Sequence, residues 1–138
     1  MKRFLISVIL LNGSGLASAR AVEPPRMSVT EAQQFALTAV PLRQRKLPGF
    51  QFDLPKTDKG LYVFDAIWNG LPNGSVEIGF YAVDPVTGAV WNAVMGCEQV
   101  STPELKKLQT SWIKHSGLAK GELLKFQAPG PQCPNGKD

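Results

Sequence analysis

The sequence predicts one exported α+β domain: an N-terminal helix, a three-stranded antiparallel meander and a C-terminal helix, after a cleaved signal peptide. Three observations support this prediction. The N-terminus is basic and then apolar, and it ends in small residues. Two amphipathic stretches begin with helix-capping residues, and three strand-like stretches with short turns lie between them. A chain of 138 residues is sufficient for one domain with one core.

The first nineteen residues are organised like a secretory signal peptide. Lys2 and Arg3 precede the apolar run Phe4–Leu11, and Ala17–Ala19 provides a small-residue cleavage site. The apolar run is much shorter than the roughly 20 residues that span a bilayer. We therefore predict cleavage after this triplet, or after Ala21, and a periplasmic or secreted protein that is not an integral membrane protein.

Helix-capping patterns mark the starts of both predicted helices. Residues 20–27 form a flexible lead-in, and Ser28–Glu31 then has the spacing of a capping box. Apolar residues recur at helical spacing from there to Pro41, where the helix ends or frays. The C-terminal helix begins with the same spacing at Ser101–Glu104, and we expect Ser116-Gly117 to end it.

The region between the helices predicts the meander. Leu61–Trp68 is rich in aromatic and β-branched residues, Ser75–Val83 alternates, and Ala89–Val94 follows as a third strand. A loop at 69–74 and a turn at Asp84–Gly88 separate them. Connections this short make neighbouring strands antiparallel.

The single domain is predicted to cover residues 28–127, followed by a Pro- and Gly-rich tail at 128–138. Within the domain, 51–54 is a further candidate strand and 56–60 a polar turn. A short third helix is expected within 118–126.

The two cysteines, Cys97 and Cys133, are predicted to form a disulfide bond. An oxidising compartment favours their pairing, and only one intramolecular connectivity is possible. The bond would hold the tail against the domain. The chain has no C-x-x-C motif, which argues against a redox-active site.

The charge does not favour nucleic-acid binding. The precursor has a net charge of +4, and removal of Lys2 and Arg3 lowers it by two. The basic stretch of Arg43, Arg45 and Lys46 is short for a nucleic-acid surface. We predict no nucleic-acid partner.

The sequence offers no strong catalytic or metal-binding set. His115 is the only histidine, and we interpret it as a solvated residue in the last turn of a helix. A zinc site would need further ligands, and oxidation of Cys97 would block a Cys–His dyad. We therefore predict no metal, no cofactor and no enzyme activity.

Carboxylates provide the alternative of a small hydrolase, with Asp65 and Glu77 as the candidate pair. If Asp65 faced the core, it would need a partner. The favoured interpretation instead leaves Asp65 solvated and assigns the core face to Tyr62, Phe64, Ala66 and Trp68. Asp84 is expected to cap its own turn.

Aromatic residues could also form a surface that binds a partner, because exposed aromatic patches are common at interfaces. The speculative partner-binding set combines strand aromatics with the asparagines of the predicted loop. It consists of Tyr62, Trp68, Asn69, Asn73, Tyr81 and Trp91.

The segment from Ser28 to about Trp91 resembles a PepSY-type domain. The matching parts are the helix that opens with Ser-Val-Thr-Glu-Ala-Gln-Gln-Phe-Ala, the strand at Leu61–Phe64 and the strand–turn–strand ending at Tyr81–Val90. The plan is also similar to that of small periplasmic immunity proteins, including those with a cone-shaped nuclear-transport-factor-like fold. The resemblance implies a non-catalytic exported domain that binds or restrains a peptidase or another protein.

These observations favour an exported binding or inhibitory protein, in its most concrete form an immunity protein. The partner would be a toxin, a cell-wall hydrolase or a peptidase. Two alternatives remain at this stage. One is the carboxylate hydrolase, and the other is a ligand carrier with a pocket between helix and sheet.

Overall fold

An antiparallel sheet with helices before and after it forms the fold. The computed structural model describes residues 23–72, 74–94 and 96–131, without the side chains of residues 71 and 75. In chain order the elements are α1 (Val29–Ala39), α2 (Leu42–Arg45), β1 (Phe50–Phe52), β2 (Lys56–Asp58), β3 (Leu61–Leu71), β4 (Gly74–Val83), β5 (Val90–Asn92), β6 (Glu98–Gln99), α3 (Pro103–Ser116) and α4 (Lys120–Leu124). The predicted signal peptide, Asn73 and Cys133 lie outside the described residues.

The sheet is larger than the predicted meander. Its strands follow the order β1-β3-β4-β5-β6, and β2 also pairs with β3. Phe50 lies opposite Trp68, and Lys56 lies opposite Val63, so β1 and β2 form one interrupted edge. The α+β class is confirmed, but the three-stranded sheet is wrong, because six strands are described. The polar segments β2 and β6 lack the apolar alternation by which a buried strand is identified.

The β3–β4 hairpin is also longer than predicted. Most of the expected loop at 69–74 belongs to the strands, since β3 continues to Leu71 and β4 begins at Gly74. The backbone N–H of Asn69 donates to the carbonyl oxygen of Gly49 at 3.2 Å. This bond extends the pairing beyond Trp68.

Local capping signals position the helices. The Ser28 backbone N–H donates to Glu31 Oε2 at 2.7 Å, and Ser28 Oγ accepts from the Glu31 N–H at 3.2 Å, as the capping box predicted. The start of α3 differs from the prediction. Its N-cap is Thr102 rather than Ser101, because the Thr102 hydroxyl accepts from the Leu105 N–H. Gly117 ends α3 with a φ of 71°, as expected.

The main core lies between the helices and one face of the sheet. Phe64, Tyr81 and Val83 are buried there together with Phe35 of α1 and Trp112 of α3. The predicted core face is confirmed for Phe64 and Ala66, which are buried, and for Tyr62, which packs against them while half-buried. Trp68 is also half-buried, near the hairpin end.

A smaller apolar cluster covers part of the second face. It contains Leu61, Ala82, Ala89 and Trp91, with Val63 and Ala128 packed against them. Ala128 belongs to the segment that follows α4. The C-terminal segment therefore covers one part of the second face.

Candidate functional site

The turn at 84–88 is buried, and its aspartate connects it to the C-terminal segment. Asp84 is 0% exposed, and its Oδ1 accepts from the N–H groups of Val86 at 2.7 Å and Thr87 at 3.2 Å. The predicted Asx-type cap is confirmed. Asp84 Oδ2 also accepts from the Ala128 N–H at 2.7 Å. One carboxylate therefore holds both its own turn and the C-terminal segment.

Helix α3 holds the same turn from the other side. The indole Nε1 of Trp112 donates to the Val86 carbonyl oxygen at 2.7 Å, and Gln109 Nε2 donates to the Gly88 carbonyl oxygen at 2.9 Å. These bonds satisfy backbone acceptors that the buried turn would otherwise leave unpaired. The turn therefore has a structural role in joining the sheet to α3 and the tail.

The C-terminal segment then crosses the second face. Gly130 lies against Trp91, where an added Cβ would be 3.3 Å from the indole Nε1. The Sγ of Cys97 lies 3.1 Å from the carbonyl oxygen of Pro131. Pro131 thus lies beside Cys97, and the bond between Cys97 and Cys133 stays a prediction.

Burial removes two residues from the expected partner-binding surface. Tyr81 is 1% exposed and Trp91 is 8% exposed. Tyr81 packs in the main core, and the C-terminal segment covers Trp91. Neither side chain is presented to a partner in this structure.

The remainder of the predicted surface is dispersed. Asn69 is exposed, Tyr62 is half-buried against the main core, and Trp68 is half-buried. The ring of His115 lies 5.9 Å from the ring of Trp112, at an exposed position near the end of α3. The five described members of the predicted set therefore do not form one continuous surface.

The second face is less covered on the side of β1 and β2. Three directly opposed pairs place their side chains there: Lys56 with Val63, Asp65 with Phe80, and Ile67 with Glu77. Val63, Ile67 and Phe80 are partly exposed, and Lys56 and Glu77 are exposed. These six residues are called the open patch below.

Asp65 in the open patch corrects a prediction. The favoured interpretation left it solvated, but it is 8% exposed. Its Oδ2 lies 3.1 Å from Lys56 Nζ, and the Lys56 side chain is 71% exposed. Asp65 and Glu77 do share a face, as the alternative of a carboxylate pair requires, although Asp65 is already engaged by a lysine.

The open patch has an acidic character. A hydrogen bond to Asp65 and the charge of that carboxylate raise the pKa of Lys56, and the charges of Asp53 and Glu77 raise it further. Three carboxylates therefore act on one cation. Alternation along β3 places Asp65 on one face with Val63 and Ile67 from the sequence alone. The pairing of the strands was needed to add Lys56, Glu77 and Phe80.

Within 23–72, 74–94 and 96–131, no helix has the length and apolar character needed to cross a membrane. In the same ranges, no cluster of three or more His, Cys, Asp or Glu residues is arranged to hold a metal ion.

The fold is similar to that of one chain in the structure of a type VI secretion system effector-immunity complex from Pseudomonas protegens. The TM-score is 0.56 at 21% sequence identity, and the match covers 72% of this chain and 90% of that chain. No protein-family profile matches the sequence. No curated protein sequence matches it either. At this identity the likeness establishes a shared fold.

Proposed function

We propose that this chain is an exported binding protein of the immunity type, which neutralises a protein partner such as a toxin or a cell-wall hydrolase. The open patch is the observation that carries the proposal. It lies on a fold shared with a chain from an effector-immunity complex. The likeness supports a protein partner, and the predicted signal peptide supports an encounter outside the cytoplasm.

The composition of the open patch indicates the kind of surface that it would bind. Val63, Ile67 and Phe80 provide a partly exposed apolar centre. Carboxylates surround the single lysine beside it. Interfaces commonly combine an apolar centre with a polar rim, and complementary charge guides their association. The partner surface should therefore be basic around an apolar centre.

The experiment begins with the purified mature chain as bait in a periplasmic extract, with the exported product of a neighbouring gene as the first candidate. The partner is then purified, and its affinity is measured by calorimetry. Glu77→Lys places a positive charge in the open patch and should weaken binding about tenfold, or about 1.4 kcal/mol.

Glu98→Lys is the matched control. Glu98 is also an exposed strand glutamate, but it lies in β6 at the opposite edge of the sheet. Its reversal should change the affinity less than about twofold. Retention of no protein, or equal weakening by the two substitutions, would contradict the proposal.

A further inference from the structure

A cavity of about 480 Å³ lies at the β6 edge of the sheet, opposite the edge that borders the open patch. Its volume is within the range of roughly 300–1,000 Å³ that is usual for small-molecule sites. Thr87 and Ala89 from the buried turn region and Gln99 of β6 form part of its wall. The cavity is called the α3–α4 groove below.

Two stripes of side chains complete the α3–α4 groove. Each stripe has the i, i+3, i+4, i+7 spacing of one helix face. The first consists of Lys106, Gln109, Thr110 and Ile113 on α3, and the second consists of Lys120, Leu123, Leu124 and Gln127 on α4 and the turn after it. Both stripes therefore present a lysine, an amide and apolar carbon to the same space.

The residues that line the groove carry positive charge only. No Asp or Glu is among the residues that line it. The ion pair given for the described residues, Lys56 with Asp65, lies at the other edge of the sheet and involves no groove residue. Lys106 and Lys120 are exposed and have no carboxylate partner in the groove.

The apolar part of the groove is a formed surface. Leu123 is 1% exposed and Ala89 is 5% exposed, so the floor is fixed by packing. Gln109 is held by its hydrogen bond to the carbonyl oxygen of Gly88. A packed apolar surface lined also by two lysines suits a molecule that has an apolar body and a negative charge.

We propose that the α3–α4 groove binds a small amphipathic carboxylate. Its apolar body would lie against Ala89, Ile113 and Leu123, and its carboxylate would accept from Lys106 and Lys120. This site goes beyond the proposed binding of a protein at the open patch. Either proposal can fail while the other holds, because the two sites use different residues.

The test is calorimetric titration of the purified mature chain with three probes. Octanoate has both the apolar body and the carboxylate, 1-octanol has the body without the charge, and acetate has the charge without the body. We expect saturable octanoate binding at one site, and affinities at least about tenfold weaker for the other two probes. Amide NMR shifts on addition of octanoate should map to the residues that line the groove.

Matched double variants test whether the two groove lysines bind the carboxylate. Lys106→Gln with Lys120→Gln should weaken octanoate binding about tenfold and leave 1-octanol binding unchanged. Lys107→Gln with Lys125→Gln removes the same charge from exposed positions that do not line the groove, and it should change binding less than about twofold.

Three outcomes would overturn the proposal. The first is that octanoate shows no saturable binding with a dissociation constant below about 10 mM, which corresponds to a binding free energy of about 3 kcal/mol. The second is equal affinity for octanoate and 1-octanol, or equal effects of the two double variants. The third is a set of NMR shifts located outside the groove.

Discussion

Asp84 and Asp65 are both buried aspartates, yet they are held in different ways. Asp84 is 0% exposed and accepts hydrogen bonds from three backbone N–H groups. Asp65 is 8% exposed, and its ion pair is with the exposed side chain of Lys56. The backbone donors of Asp84 are fixed by the fold, whereas the ammonium group of Lys56 can move into solvent at low cost.

This difference separates a structural carboxylate from one that is available for recognition. Loss of Asp84 would leave buried N–H groups unsatisfied in the turn and in the C-terminal segment. Loss of Asp65 would release a lysine that water can solvate. The comparison therefore predicts that Asp84 determines stability, and that Asp65 mainly determines the charge of the open patch.

The largest expected effect is that of Asp84→Ala. It removes three hydrogen bonds to a charged group, and we expect the free energy of unfolding to fall by about 4 kcal/mol. Urea unfolding of the purified chain measures this change. Asp84→Asn keeps one acceptor oxygen and should cost about 2 kcal/mol. A loss below about 1 kcal/mol for the alanine variant would remove the distinction between the two aspartates.

Gly88→Ala tests the same turn through its backbone. Gly88 has a φ of +73°, and an added Cβ would lie 2.6 Å from Cε1 of the buried Phe35 ring. Strain and overpacking together should lower the free energy of unfolding by about 2–3 kcal/mol. Gly121→Ala in α4 is the control, because its Cβ would meet no atom within 4 Å. That control should be neutral or stabilising by up to about 1 kcal/mol, and equal losses at both positions would contradict the prediction.

Asp65→Asn should have a much smaller effect on stability. It replaces an ion pair whose lysine is 71% exposed, and such pairs are worth about 0–1 kcal/mol. Urea unfolding should therefore place this variant within about 1 kcal/mol of the unsubstituted chain. A loss as large as that of Asp84→Asn would show that Asp65 also has a structural role.

The smallest expected effect is a pH dependence that involves Lys56. Asp65 raises the pKa of Lys56 above 10.5, so the folded chain binds that proton more tightly than the unfolded chain. The resulting stabilisation is present below pH 10.5 and is lost as the pH rises through the raised pKa. Burial raises the pKa of Tyr81 as well, which also lowers stability at alkaline pH. Lys56→Gln should remove only the Lys56 part, so its stability should fall less between about pH 10 and 12. If Lys56→Gln and the unsubstituted chain lose stability identically over this pH range, the pairing of Lys56 with Asp65 is contradicted.

Structural features that depend on residues close together in the sequence were predicted well. The capping box at Ser28, the stop at Gly117 and the Asx cap at Asp84 are confirmed. Each depends on side chains or backbone groups close together in sequence. The start of α3 was misplaced by one residue, because adjacent Ser101 and Thr102 can both cap a helix and the sequence does not distinguish them.

Structural features that depend on contacts between residues far apart in the sequence were predicted poorly. The burial of Asp65 depends on the register that places Lys56 opposite Val63, and polar β2 gave no sign of that pairing. The open patch depends on where the C-terminal segment crosses the sheet. That path is fixed by the bond between Asp84 and Ala128, which lie 44 residues apart. Alternation could place residues on a face, but it could not show which part of the face would be covered.

The bond between Asp84 and Ala128 also has a consequence for the order of events in folding. Asp84 cannot acquire its third backbone donor until residue 128, which lies 44 residues further along the chain, has been synthesised. The buried turn that joins the sheet to α3 is therefore completed late. Until then the carboxylate has only the two donors within its own turn, the N–H groups of Val86 and Thr87.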